Sequence, residues 1–471
     1  MSSRDDLIDD YANLRDIVEL GGRASLHGRK LIKGGQIISM DPDVGDLANG
    51  DILIDGERIA AIGEQIDVDG ANIIDATGMI VIPGLVDTHR HAWEGQLRRI
   101  NPNSSTLEDY CNATHFSFAT HYRPMDMYVG NLLTALGCID AGITSIVDNS
   151  HNARTGRHSD AAIEALLDAG IRAVHAPGAP LTGEWDRANW PHDLERLRDK
   201  YFSADDQNLV TLAVMSQIDR ETWAFARRLG IRIVTEFFGE AMAAQLDALH
   251  EDGLLGRDNI FNHCTGVRER GWEILREAGV NVNVCPRSDA HYGLEDGMCA
   301  LQVALDHKIS PGLSVDNESS YSGDMFMEMR VAFYLQRAIR QGRHFHGETT
   351  VPEPITARRL LHAATLAGAV CAGLDGRTGS LTPGKQADIV MIRADDINLF
   401  PSNNAIGTVV HAAERSNVDT VIIGGRVRKR SGALVGLNLE KLKRATEVSR
   451  AHLFASTGYT PAPFADKFEL A

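Results

Sequence analysis

Glu221-Thr222-Trp223-Ala224-Phe225-Ala226-Arg227-Arg228-Leu229, then Gly230, then Ile231-Arg232-Ile233-Val234, is the stretch on which the fold turns. An amphipathic helical run ends in glycine and is followed at once by a short apolar strand. That order is the αβ-loop signature of a parallel sheet. The same unit recurs at Ser159 to Ala169 before Gly170 and Ala173-Val174-His175-Ala176. It recurs again at Glu269 to Ala278 before Gly279 and Val280 to Val284. Further apolar strands are read at Thr144 to Asp148, Val210 to Val214 and Ile260 to His263. With Val86-Asp87 first and Gly312 to Asp316 last, the units number about eight, which predicts an α/β fold of the TIM (β/α)8 barrel type. An open doubly wound sheet is the competing reading.

Outward from this middle the texture changes. Residues 31–82 read as short strands broken by Asp/Gly turns, ending in Met79-Ile80-Val81-Ile82 before Pro83-Gly84. Similar runs return at Ala387 to Ile392 and Thr420 to Val427. Two β segments flanking the alternating middle predict a composite β-sandwich built from both chain ends. The expected division is an N-terminal arm at 1–30, the β-sandwich at 31–82 plus 369–435, the barrel at 83–368, and a C-terminal helix and tail at 436–471. Residues 1–26 and 456–471 read as tails or dimer arms.

The chain of 471 residues has 47 Lys and Arg against 64 Asp and Glu, a formal net charge of −17. An acidic surface repels phosphates, which argues against nucleic acid or an anionic membrane as partner. No run approaches the roughly 20 apolar residues of a membrane span. The acidic start lacks the features of a signal peptide. Six Cys are scattered with no CxxC pair, which fits reduced thiols in a cytoplasmic protein. The expected partner is a small-molecule substrate, and a homodimer is expected from base rates.

Reacting groups of such a barrel sit at the C-terminal ends of its strands. The first strand ends Val86-Asp87-Thr88-His89-Arg90-His91. Side chains two apart on a strand share a face, so His89 and His91 can hold one divalent ion. A second HxH, His344-Phe345-His346, follows a basic helix and reads as surface. Strand six ends at His263 and strand eight at Asp316. A carboxylate at that rim can bind metal and take a proton from bound water. Trp93, Gln96 and His291 are further candidates for contact with substrate. Asp148 and Asn149 rank behind them. The segment Asn101 to Pro124, with His115, Phe116 and Tyr122, reads as a lid or as a packed surface loop.

These residues carry a resemblance. Ile82-Pro83-Gly84-Leu85-Val86-Asp87-Thr88-His89-Arg90-His91-Ala92-Trp93 resembles the amidohydrolase superfamily, nearest its cytosine-deaminase and triazine-chlorohydrolase branch. Asn262-His263-Cys264, Val284-Cys285-Pro286-Arg287-Ser288, Ser314-Val315-Asp316 with Met325 to Arg330, and Gly379 to Ile389 resemble that branch's later motifs. The resemblance spans roughly 30–435. It implies one divalent metal ion in the barrel, with His89, His91 and Asp316 as ligands and His263 as an electrostatic helper.

Strand five departs from the family. There the resemblance calls for HxxE, a ligand His and a proton-shuttling Glu. This chain has Thr235-Glu236-Phe237-Phe238-Gly239-Glu240. Glu236 falls at the ligand and Gly239 at the shuttle. Glu236 could serve as an oxygen ligand, Glu240 could supply the lost acid, or His263 could become a direct ligand. Both glutamates could equally be ordinary rim or helix-start carboxylates. Zinc is the first expectation for the metal, and two carboxylates move the preference towards iron or manganese.

The expected function is a metal-dependent hydrolase. A metal-bound hydroxide attacks an sp² carbon of a small nitrogen compound, a heteroaromatic ring by preference, as in an aminohydrolase. Asp316 takes the proton. The alternatives are hydrolysis of a C–Cl, urea or carbamate bond, and an altered relative that only binds ligand.

Overall fold

The computed structural model describes residues 11–19, 28–202 and 208–461. Among the described residues seventeen strands follow in chain order. The first five are β1 (Lys30–Ile38), β2 (Asp46–Asp55), β3 (Arg58–Gly63), β4 (Asn72–Asp75) and β5 (Met79–Pro83). Eight follow: β6 (Leu85–Arg90), β7 (Ile143–Ser150), β8 (Arg172–Pro177), β9 (Val210–Met215), β10 (Arg232–Phe237), β11 (Asn259–His263), β12 (Asn281–Val284) and β13 (Gly312–Leu313). The last four are β14 (Ile389–Arg393), β15 (Val418–Ile423), β16 (Arg426–Arg430) and β17 (Ala433–Leu434).

Strands β6 to β13 form one eight-stranded sheet in sequence order, and its neighbouring strands pair in parallel. The two edges meet. Asp316 N donates to His89 O at 2.9 Å, His91 N donates to Asp316 O at 2.9 Å, and Thr88 Oγ1 donates to Leu313 O. The fold is thus the TIM barrel expected, and its seam closes where the first and last motifs meet. The glycines that end helices do so in the left-handed conformation, with φ of 71° at Gly170, 69° at Gly230 and 73° at Gly279, where a Cβ would be strained. Val86, Val147, Val174, Val234 and Ile260 form a core with Ala369, Cys371 and Leu374 of the segment that carries helix Leu366–Ala372.

The remaining strands form a nine-stranded sheet drawn from both chain ends, ordered β17-β16-β15-β14-β5-β1-β2-β3, with β4 beside β1. Its own core includes Ile32, Ile52, Val81, Ile389 and Ile422. The run Thr420 to Val427 divides at Gly424-Gly425, whose φ values of 54° and 71° make a hairpin turn between β15 and β16. Buried Arg172 of β8 binds Asp388 with Nε–Oδ2 at 2.7 Å and Nη2–Oδ1 at 3.0 Å, tying barrel to sheet.

Within the arm expected at 1–30, residues 1–10 and 20–27 lie outside the described residues. The described part holds the helix Ala12–Ile17, with Ile17 buried and Tyr11 stacked on Tyr128 at 5.1 Å. Within 436–471, helix Leu439–Thr457 packs on the barrel through Leu453 and a 2.7 Å bond from Ser449 Oγ to Asp126 Oδ1. Residues 462–471 lie outside. Among the described residues no helix is long and apolar enough to cross a membrane.

Candidate metal centre

His89 and His91 point to one side of the closing seam, as the two-residue period of a strand dictates. His89 Nε2 lies 3.0 Å from Asp316 Oδ1 and 3.6 Å from Glu236 Oε1. His91 Nε2 lies 3.2 Å and 3.8 Å from the same two oxygens. Four atoms at a tetrahedral divalent ion, with bonds of about 2.0–2.2 Å, stand roughly 3.3–3.6 Å apart. The spacings bracket that range. His89 Nε2 and both Glu236 oxygens are buried with no hydrogen-bond partner, an expensive state for polar atoms unless a cation collects them. The residues present therefore fit a divalent metal.

Surrounding groups orient these donors. His91 Nδ1 donates to Asn149 O at 2.9 Å, which leaves Nε2 free to coordinate. His89 Nδ1 meets the Asn149 amide and Asn262 Nδ2, the latter at 2.9 Å, and Asn283 Nδ2 donates to Asn262 Oδ1 at 2.6 Å. Asp316 and His263 leave their strands at positive φ, 78° and 66°, a strained backbone that side chains at functional sites often adopt. Burial alone would raise the Glu236 and Asp316 carboxyls. The imidazoles beside them, His89 foremost, hold both well below the usual range instead. Two anions so retained in a buried mouth are suited to a cation.

His263 stands beside this set. Its Nδ1 is 2.8 Å from Asp289 Oδ1 and its Nε2 is 3.2 Å from Glu236 Oε2. Burial disfavours charge on His263, but the neighbouring Cys285, Asp289 and Glu236, in that order, outweigh it and push its pKa up. Ser288 donates a short bond to Asp316 Oδ2. Glu94, fully buried, accepts from Tyr110 Oη at 2.5 Å and from Glu318 N at 3.2 Å.

Above the centre lies a cavity of ≈ 190 Å³, lined by His91, His115, His151, Glu236, His263 and Asp316 and roofed by Leu107, Tyr110, Cys111, Phe238, Tyr292 and Leu294. Helix Leu107–Ala113 supplies three roof residues, so part of the segment expected as a lid covers the site.

Several expected residues lie elsewhere. Glu240 starts helix Glu240–Ala243 with its side chain 70% exposed and paired to Arg268 at 2.6 Å. It does not line the cavity, because Gly239 turns the chain outward at φ 81°. Gln96 is buried against helix Pro124–Asp140, donating to Asp126 O and Ser449 Oγ. Trp93 packs on Tyr122 and His115 behind the cavity wall. His291 stacks edge-on with Tyr292 and Tyr321, outside the lining. Asp148 lies below the site, bound to His175 Nδ1 at 2.7 Å and to Ala92 N. His344 and His346 are exposed at a helix end. Conversely, His151 and Asp289 carry no role in the sequence motifs, and Ser288 enters only as the end of the strand-seven motif. The signal for His151 was available, since it directly follows β7 at the rim. Asp289 sits beside Ser288 in helix Pro286–Tyr292 after β12, where no spacing rule marks it.

The family model described as "Amidohydrolase family" matches residues 228–428. A 5'-deoxyadenosine deaminase from Methanosarcina acetivorans is 27% identical over 446 residues, covering 90% of this chain and 98% of that protein. A 5-methylthioadenosine/S-adenosylhomocysteine deaminase from Thermococcus kodakarensis is 27% identical over 419 residues, covering 84% and 93%. Among solved structures, a zinc-bound adenosine deaminase from Xanthomonas campestris superposes with a TM-score of 0.78 at 21% identity, covering 90% of this chain and 98% of that one. A zinc complex of an atrazine chlorohydrolase from Arthrobacter aurescens gives 0.77 at 22% identity, covering 90% and 100%.

Proposed function

Because the chain belongs to the amidohydrolase superfamily, we propose that it is a metal-dependent aminohydrolase that exchanges the amine of an adenine-like heteroaromatic ring for oxygen, releasing ammonia. The observation that carries this reading is the set of His89, His91, Glu236 and Asp316 donor atoms, 3.0 to 3.8 Å apart, opening on a cavity of ≈ 190 Å³. The ring class follows the deaminases whose names the most similar relatives carry.

When bound, a divalent ion supplies Lewis acidity and lowers the pKa of water by several units. The chain's own residues do the rest. Asp316 Oδ2, steadied by Ser288, accepts the proton of the attacking water. His263, aimed by Asp289, donates from Nε2 to the negative charge that grows on the ring. Asp316 then passes its proton to the departing amine. The roof of Tyr110, Phe238 and Tyr292 stacks on a flat ring and excludes water. Zinc is the first choice of metal, and the two carboxylates leave iron and manganese open.

One observation favours a second reading. With Glu240 outside the cavity, no further carboxylate serves the leaving group, which suits a better one such as chloride. Ammonia and chloride release from adenosine, 5'-deoxyadenosine, cytosine and chlorotriazines separates the two. We expect ammonia from an aminopurine, lost on chelation and restored by metal. Chloride release alone selects the second reading.

A further inference from the structure

His151 has no role in the reaction just described, yet it is among the least satisfied groups in the molecule. It follows β7 directly and is 7% exposed, and neither Nδ1 nor Nε2 has a hydrogen-bond partner. Its Nε2 is 3.9 Å from Glu236 Oε1, beyond bonding range. Its ring leans on His91 at 5.2 Å and His115 at 5.5 Å. A buried imidazole with both nitrogens unpaired is costly unless something entering the site completes it.

The surroundings indicate what enters. The metal cavity of ≈ 190 Å³ adjoins a second chamber of ≈ 140 Å³, and His151, Leu181 and Gln217 line both. The first alone is smaller than the roughly 300–1,000 Å³ of ordinary ligand pockets, and suits a bare ring. The second adds Trp190 as an apolar wall, with Ser216 and Asp219 as polar groups. It suits a compact substituent that carries hydroxyls. A neutral imidazole offers one donor and one acceptor, and hydroxyls answer both.

We propose that His151 is a substrate-contacting specificity residue: it hydrogen-bonds a hydroxylated substituent that passes from the metal cavity into the second chamber, so the enzyme prefers ring-substituted amines, of nucleoside type, over bare bases. This rests on the aminohydrolase reading. The departure of the amine requires nothing of His151, so its loss falls on one substrate class and not on the reaction itself.

The test compares metal-loaded wild type, His151→Phe and His151→Gln. Steady-state kinetics are measured on adenosine and adenine. Calorimetry measures binding of their deaminated products, inosine and hypoxanthine. A site built to hydrogen-bond its ligand loses much when that bond goes. His151→Phe is expected to lose about 10²-fold in kcat/KM on adenosine and about tenfold in inosine affinity, with metal content, adenine and hypoxanthine within about threefold. His151→Gln, which keeps a donor and an acceptor, should recover about tenfold of the kinetic loss. If Phe at this position loses metal or fails to fold, the Gln variant decides alone, by a drop confined to adenosine and inosine. Unchanged adenosine kinetics and inosine binding overturn the assignment while the aminohydrolase stands. So does a loss shared equally by adenine and hypoxanthine. A metal-loaded wild type that converts neither adenosine nor adenine and binds neither inosine nor hypoxanthine overturns both.

Discussion

Asp289 touches no donor of the metal set directly, yet it fixes His263 through a 2.8 Å bond. An orienting partner of this kind is commonly worth about 10–100-fold in metal affinity or activity. Asp289→Asn is therefore expected to lower kcat by about that factor while metal content stays intact; steady-state kinetics beside elemental analysis check it. Glu94 offers a separate handle. Burial lifts its carboxyl from 4.5 to about 7 against the opposing pull of His91, Tyr110 and the Glu318 amide. Its folded pKa is raised, so its stabilising share is complete below about pH 4.5 and is lost as pH rises through 7. Glu94→Gln should flatten urea-derived stability across that window relative to wild type. A parallel pH profile for both proteins would contradict this. His89, His91, His263 and Asp316 were legible from the sequence because strand ends in a barrel carry reacting groups. Glu240 was misplaced for a local reason. One glycine at φ 81° turns the chain away from the mouth, and a count along the sequence does not register that. Glu94 and Tyr110 stayed hidden because they meet across a turn that no spacing rule links.

Element by element, the barrel seam is braced by charge. Arg90 lies between the two imidazoles in sequence and is itself fully buried. It binds Asp87 at 2.7 Å and Glu318 at 2.9 Å, and Arg98 binds Glu318 at 2.6 Å. Asp87 Oδ1 accepts from Val315 N at 3.1 Å, so the same group steadies the strand-eight turn that carries Asp316. Removing Arg90 would strand the buried Asp87 carboxylate and leave Glu318 to Arg98 alone. Arg90→Met should cost about 3–5 kcal/mol, read by urea denaturation, and should weaken metal retention as the seam loosens. The helix–glycine–strand units were readable because each is local. The division of Thr420 to Val427 was harder to see. Gly424-Gly425 sits inside a continuous β-branched run, and the antiparallel pairing of β15 with β16 shows where the chain reverses.

On the scale of the whole molecule, charged pairs tie the sheet from the chain ends to the barrel, one of them fully buried. The Arg172–Asp388 pair is the buried one. A second link, from buried Lys429 Nζ to half-buried Asp140 Oδ1 at 2.9 Å, lies nearer the surface. We propose that the two parts unfold together. Fluorescence of Trp93, Trp185, Trp190, Trp223 and Trp272, all within 83–368, should then give the same urea midpoint as far-ultraviolet circular dichroism, which reads both parts. Arg172→Leu leaves Asp388 buried without its cation, and should lower the shared midpoint or split it in two.

We place one divalent metal on His89, His91, Glu236 and Asp316. Elemental analysis of gently purified wild type beside Glu236→Gln and Glu236→His tests it most directly. A neutral amide oxygen is a far poorer donor to a divalent ion than a carboxylate, and an imidazole is a good one. The wild type should carry about one equivalent of divalent metal, Glu236→Gln should lose most of it, and Glu236→His should recover substantial zinc. A wild type with less than about a tenth of an equivalent, or a Glu236→Gln variant as full of metal as the wild type, would contradict it.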